Sequence, residues 1–173
     1  MTTIQIQTNS DDHRIAKLAA LAIGLHLIEA VVPSPLPGVK PGIANIVTLY
    51  VLYRFDFATA AWVSLLRVFA SSLLFGNFLS PTFALSLSGA VLSLLVLYFA
   101  RHLPKRYFGP VSLSIFAAFA HMSAQLLVVR FWLIPHAGVA YLIPIFMAAA
   151  PLFGLLNGLV ANSLLKKAEC ALC

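Results

Sequence analysis

Residues Glu29 to Asn45 read E-A-V-V-P-S-P-L-P-G-V-K-P-G-I-A-N. The stretch holds four of the ten prolines, two of the nine glycines, one of the five acidic residues and Lys40. Strongly apolar sequence lies on both sides. Proline and glycine at this density end a helix and force irregular backbone. A carboxylate and a lysine beside such a hinge mark it as a candidate binding site inside a membrane-like chain.

Composition sets the class. The 173 residues are 61% hydrophobic and 9% charged, with a mean hydropathy of +0.97. Soluble domains carry about 25% charged residues. This chain has too few charges to dress a soluble surface, so it reads as an integral membrane protein. The net charge of +6 would point to nucleic acid in a soluble protein. Here a positive-inside bias accounts for it, and no nucleic-acid partner is expected. The polar N-terminus, Met1 to His13, lacks an A-x-A-like site after the first apolar run, so it does not read as a cleavable signal.

Six apolar runs follow: Ile15–Val32, Ile43–Tyr53, Phe57–Phe75, Thr82–Ala100, Val111–Ile134 and Gly138–Leu165, the last broken by Pro144 and Pro151. They lack strict polar/apolar alternation, which argues against a transmembrane barrel. The expected fold is all-α, a polytopic bundle of six transmembrane helices over residues 15–165. A polar segment (1–14) precedes it and a short tail (166–173) follows. Six spans put both termini on one side, with Arg14, Lys17, Arg54, Arg101, Lys105, Arg106, Lys166 and Lys167. The other side gets Lys40 and Arg130. That asymmetry places the termini in the cytoplasm. The second run is odd: its 11 residues make roughly 16 Å of helix. A hydrocarbon core is about 30 Å thick. The missing length is expected from the Pro/Gly stretch, dipping in as irregular backbone beside a cavity.

Ionisable groups at membrane depth are costly and call for a partner. Glu29 falls on the outer half of the first run, with His26 one turn earlier on the same face. Arg67 is central in the third run, with Ser64 and Ser71 on its face. Glu29 and Arg67 are expected either to pair or to hold an anion between them. Asn45 and Asn77 sit at outer ends of runs, beside Gly42 and Gly76, and read either as lining one outer pocket or as helix caps. The candidate substrate-binding set is Glu29, Pro37, Gly38, Lys40, Gly42, Asn45, Arg67 and Asn77. His121 and Gln125 share a face of the fifth run and read as helix–helix hydrogen-bonding groups. No metal site or cofactor is expected, because the histidines are scattered. Small residues mark contact faces: Ala16, Ala20 and Gly24 on the first run, a candidate partner-helix docking stripe, and Ala150, Gly154, Gly158 and Asn162 on the sixth. The terminal C-A-L-C (Cys170 to Cys173) is uninformative.

The motifs P-L-P-G-V-K-P-G-I-A-N-I-V-T-L (Pro35 to Leu49), L-R-V (Leu66 to Val68), F-G-N-F-L-S-P (Phe75 to Pro81) and S-L-S-G-A (Ser86 to Ala90) resemble the Gx transporter family. Its members also carry the description heptaprenyl diphosphate synthase component I. That family in turn resembles the S components of energy-coupling-factor (ECF) transporters. The resemblance spans roughly Ile15 to Leu165. It implies an S-component-like six-helix bundle in a bacterial inner membrane, with a vitamin-like small molecule held under the outer loop between helices 1 and 2. It also implies a transmembrane coupling subunit docked on the small residues of helix 1, with separate ATPases. The chain itself carries no G-x-x-x-x-G-K-[ST]. Our hypothesis from the residues is capture of an anionic small molecule, Lys40 and Arg67 attracting it and Glu29 holding the arginine. The synthase description meets a chemical objection. Magnesium diphosphate chemistry wants clustered carboxylates, and the aspartates are Asp11, Asp12 and Asp56 alone. The chain is therefore not expected to be an enzyme. A non-catalytic membrane partner of such a synthase is the second reading, and an assembly subunit of a membrane redox complex the third.

Overall fold

The computed structural model describes residues 10–31, 42–102, 108–133, 138, 141 and 143–170. They form α1 (Ser10–Val31), α2 (Ala44–Arg54), α3 (Phe57–Leu74), α4 (Pro81–Ala100), α5 (Pro110–Val128) and α6 (Ile143–Cys170). A five-residue π-helical turn, Val129–Leu133, continues α5. The fold is all-α among the described residues.

Local chemistry sets several helix boundaries. Asp56 caps α3, its carboxylate accepting from the backbone N–H groups of Ala58 and Thr59 at 3.2 and 3.3 Å. Ser80 caps α4 through the N–H of Phe83, and Pro81 supplies a preset first turn. Pro110 opens α5 in the same way. Gly76, at φ +66°, reverses the chain after α3, its N–H going to Leu73 and that of Asn77 to Ser72.

The six-span expectation is corrected here. Among the described residues, four helices are long and apolar enough to cross a membrane: α3, α4, α5 with its π-helical turn, and α6. In α1, Asp11, Asp12, Arg14, Lys17 and Glu29 leave no long stretch with few charges. The 11 residues of α2 are too few. This is not a clear six-helix S-component bundle. The predicted break in the last run is also absent: α6 runs unbroken through Pro151, and Pro144 lies in its first turn, where a missing N–H costs little.

The reason α2 can be short lies in its position. Ala44, Ile46, Val47, Thr48, Leu49 and Val51 are all buried. Val47 and Val51 pack with Ala22 of α1 and with Ala60 and Val63 of α3. Ile46 and Leu49 pack on the other side with Leu97, Leu113, Ala117 and Ala161 of α4, α5 and α6. A helix apolar all round belongs in an interior, and α2 is the post around which the others stand.

Small residues let the long helices approach closely. A Cβ on Gly158 would lie 2.7 Å from the Val111 backbone, and one on Gly154 would lie 2.9 Å from that of Ile115. The small-residue face of α6 therefore packs against α5, with Ala150 buried. Large apolar side chains point outward instead, among them Trp62, Leu74, Phe99, Phe131, Trp132 and Leu152. Greasy outside and small inside is the pattern of a protein solvated by lipid. The molecule is a multi-span integral membrane protein.

Several of the described basic residues gather at one end. Arg14 lies over the Phe55 ring at 5.1 Å, so α1 begins beside the α2–α3 turn. Arg101 lies over Phe57, which brings the end of α4 to the same place. Because Gly158 faces Val111, α6 passes the start of α5 and carries Lys166 and Lys167 beyond it.

A buried polar centre at the first turn of the central helix

The candidate site is built on the first turn of α2. Gly42 has φ +68°, a left-handed backbone that side chains with a Cβ resist. An added Cβ would also lie 3.1 Å from Asn45 Nδ2 and 3.6 Å from Asn157 Nδ2. The backbone conformation thus favours glycine here, and a Cβ would also have to push the Asn45 amide aside by a few tenths of an ångström.

Three other helices send polar side chains to this turn. Glu29 of α1 is buried, 3% exposed, and its Oε1 accepts from the Gly42 N–H. Its Oε2 lies 3.9 Å from His26 Nδ1. The carboxylate thus sits where the first, unpaired N–H groups of α2 point, at the positive end of its dipole. Asn157 of α6 donates to the Gly42 carbonyl at 3.2 Å, which also accepts from the Asn45 N–H at 2.8 Å. Arg67 of α3, 5% exposed, donates to Asn45 Oδ1 at 3.2 Å, and its Nε has no partner. Ser64 and Ser71, one turn below and above Arg67, are buried on the same face as predicted. The Ser71 hydroxyl bonds back to its own helix at the Val68 carbonyl.

The expected direct Glu29–Arg67 ion pair is not made. No Glu29 oxygen lies within 4.0 Å of the guanidinium; each charge instead grips the start of α2, and the two act on each other at longer range. Two reciprocal ties hold the α1–α2 pair at its ends, Glu29 on Gly42 at one and Arg14 on Phe55 at the other.

A second group adjoins the first. The His121 ring packs on Gly89, where an added Cβ would lie 2.6 to 2.8 Å from three ring atoms. Gln125 lies 3.2 Å from His121 Nε2, as the shared helix face predicts, while Nδ1 has no partner. The Thr48 hydroxyl, one turn along α2 from Asn45, is also buried without a partner.

Of the predicted set, the structure unites Glu29, Gly42, Asn45 and Arg67. Asn77 is exposed and lies apart from Asn45, in a cavity of about 230 Å³ lined also by His26, Ser71, Ser72, Thr82 and Ser86. Asn45 is not among the residues that line this cavity. Pro37, Gly38 and Lys40 lie outside the described residues, as does the expected dip of the Pro/Gly stretch. The stripe Ala16, Ala20 and Gly24 faces outward: both alanines are exposed, and a Cβ on Gly24 would meet nothing within 4 Å. The buried small residues of α1 are Ala19 and Ala22. The sequence reading missed Asn157 and Thr48. Asn157 had a signal, since it is the one polar side chain in the run from Pro151 to Val160. Among the described residues no three His, Cys, Asp or Glu side chains are grouped to hold a metal ion.

The family model for heptaprenyl diphosphate synthase component I matches residues 18–164. The chain belongs to that family. The match runs from the third turn of α1 to the last turns of α6, so it takes in every helix that meets at Gly42. No curated protein and no solved structure matches the chain.

Membership in the component I family corrects the resemblance drawn from the motifs. The chain is not assigned to a Gx or ECF transporter family. The reading as a substrate-capturing uptake subunit falls with it. The motif residues Gly42, Asn45 and Arg67 remain central, but in the structure they hold helices together.

Proposed function

We propose that the chain is a non-catalytic membrane component that works with a separate enzyme in making heptaprenyl diphosphate. The match of residues 18–164 to the component I family is the observation that carries this reading. The fate of the carboxylates supports the non-catalytic part. Glu29 is committed to the Gly42 N–H and Asp56 to the first turn of α3. Prenyl elongation needs carboxylates free to hold magnesium on diphosphates. The partner would supply them, and the membrane chain would supply a place at the bilayer for an amphiphilic product.

The proposed location is a bacterial inner membrane with both termini in the cytoplasm. The collection of Arg14, Arg54, Arg101, Lys166 and Lys167 toward one end supports that orientation. A soluble synthase subunit would meet the chain at this end.

Co-reconstitution tests the reading. The full chain in lipid vesicles is mixed with a soluble prenyl diphosphate synthase subunit from the same organism, and labelled isopentenyl diphosphate incorporation is followed. We expect heptaprenyl diphosphate output to rise and the subunit to float with the vesicles. Unchanged output together with no flotation would refute it.

A further inference from the structure

A cavity of about 310 Å³ opens at the basic end of the bundle, among the α2–α3 turn, the end of α4 and the start of α5. Tyr53, Asp56, Phe57, Arg101, His102 and Phe108 are the lining residues that matter here. Its volume is in the range of small-ligand sites, about 300 to 1,000 Å³. It shares no lining residue with the polar centre at Gly42.

The cavity combines a held cation with an aromatic wall. Arg101 lies over the Tyr98 ring at 4.4 Å and the Phe57 ring at 5.1 Å. Those rings stack edge to face at 5.1 Å, so the platform under the guanidinium is fixed. Stacking occupies the face of the guanidinium and leaves its N–H edge for an anion. Among the described residues Arg101 has no carboxylate within 4.0 Å. The one carboxylate in the lining, Asp56, already accepts from the Ala58 and Thr59 N–H groups. His102 stands beside Arg101, its Nδ1 on the Tyr98 carbonyl at 2.9 Å and its other nitrogen free of that bond. Behind these groups the wall is apolar, formed by Phe57, Phe108 and the inward side of the bundle.

A phosphate-bearing head on an apolar tail fits this arrangement. We propose that the cavity seats the diphosphate head of a prenyl diphosphate, with Arg101 gripping the phosphate and Phe57 and Phe108 flanking the first isoprene units. This deepens the proposed function and rests on it for the choice of prenyl over other tails. Forked N–H donation to phosphate is the contact that arginine makes and lysine does not.

The probe is labelled geranylgeranyl diphosphate, added to the full chain in phosphatidylcholine nanodiscs. Saturable binding near one per chain is expected, weakened at least about tenfold by Arg101→Gln, the loss of a charged hydrogen bond. Arg101→Lys is expected to fall between, and His102→Gln to weaken binding less. Arg130→Gln, beyond the opposite end of α5, is expected to leave it unchanged, and helical content is checked for each variant. Equal binding by wild type and Arg101→Gln overturns the site. So does inorganic pyrophosphate binding as tightly as the prenyl compound, which would make it a bare phosphate site. Displacement of the probe by phosphatidylglycerol nanodiscs also overturns it, by assigning the cavity to a phospholipid headgroup. Prenyl binding without stimulation of the soluble subunit would sink the proposed function and leave the site standing. Stimulation without prenyl binding would do the reverse.

Discussion

Replacing Gly42 by alanine tests whether the first turn of α2 is the point that four helices share. The backbone there has φ +68°. A side chain with a Cβ in left-handed backbone costs about 1–2 kcal/mol. The new methyl would also stand 3.1 Å from Asn45 Nδ2, inside the roughly 3.5–4.0 Å of a relaxed contact. Moving Asn45 to relieve that would strain the 3.2 Å bond it accepts from Arg67. Against these costs stands about 0.4–1 kcal/mol gained because alanine restricts the unfolded chain. The net expectation is a loss of about 1 kcal/mol, or roughly a fivefold fall in the folded-to-unfolded ratio. Gly24→Ala is the matched control. It adds the same methyl inside α1, where nothing lies within 4 Å, and should stabilise by up to about 1 kcal/mol through helix propensity. Equilibrium unfolding in mild detergent with added denaturant, followed by Trp62 and Trp132 fluorescence, reads both variants. If Gly42→Ala is as stable as wild type, or gains stability as Gly24→Ala does, the account of this turn is wrong. An Asn45→Ala background should recover the crowding part of the cost and leave the backbone part.

Three further outcomes follow from the packing and the caps. Asn157→Leu should destabilise by about 1 kcal/mol, the net worth of its bond to the Gly42 carbonyl, and the same unfolding measurement would detect it. Gly89→Ala should destabilise because its Cβ would lie 2.6 Å from the His121 ring; His121→Ala in the same chain should recover most of the loss, and additive losses would disprove the contact. Asp56→Ala should cost about 1 kcal/mol through loss of the α3 cap. The hydrogen bond with Thr59 holds the Asp56 carboxyl below its ordinary 3.8. Its contribution is therefore present above that value and lost as pH falls through the lowered one. Melting curves of wild type and Asp56→Ala should thus converge below about pH 4.

How much was legible varied with the range of the interaction. Phe57–Leu74 and Pro81–Ala100 were readable to within a residue or so, because an apolar run bounded by Asp56, Ser80 and Pro81 is a local pattern. Arg67 with Ser64 and Ser71 was readable as a buried polar face, since charge at membrane depth must turn inward. Gly42 and Asn45 could be picked out by their setting, but their partners could not. Asn157 bonds to Gly42 across 115 positions of sequence. Ala16, Ala20 and Gly24 were legible as one smooth face of α1 turned away from Glu29, because spacing of four keeps small residues on one side of a helix.

The sequence by itself determined that this is a helical membrane protein, where its long apolar spans run and that Arg67, Ser64 and Ser71 would share a buried face. Apolar content and helical periodicity suffice for that, since each acts over a few turns of one chain segment. The tertiary structure decided that α2 stands inside the bundle, packed on both sides. It also decided that Glu29 and Arg67 grip α2 instead of each other. Those outcomes depend on which helices meet at Gly42. That is set by close packing of small residues on separate segments, a complementarity no single segment carries.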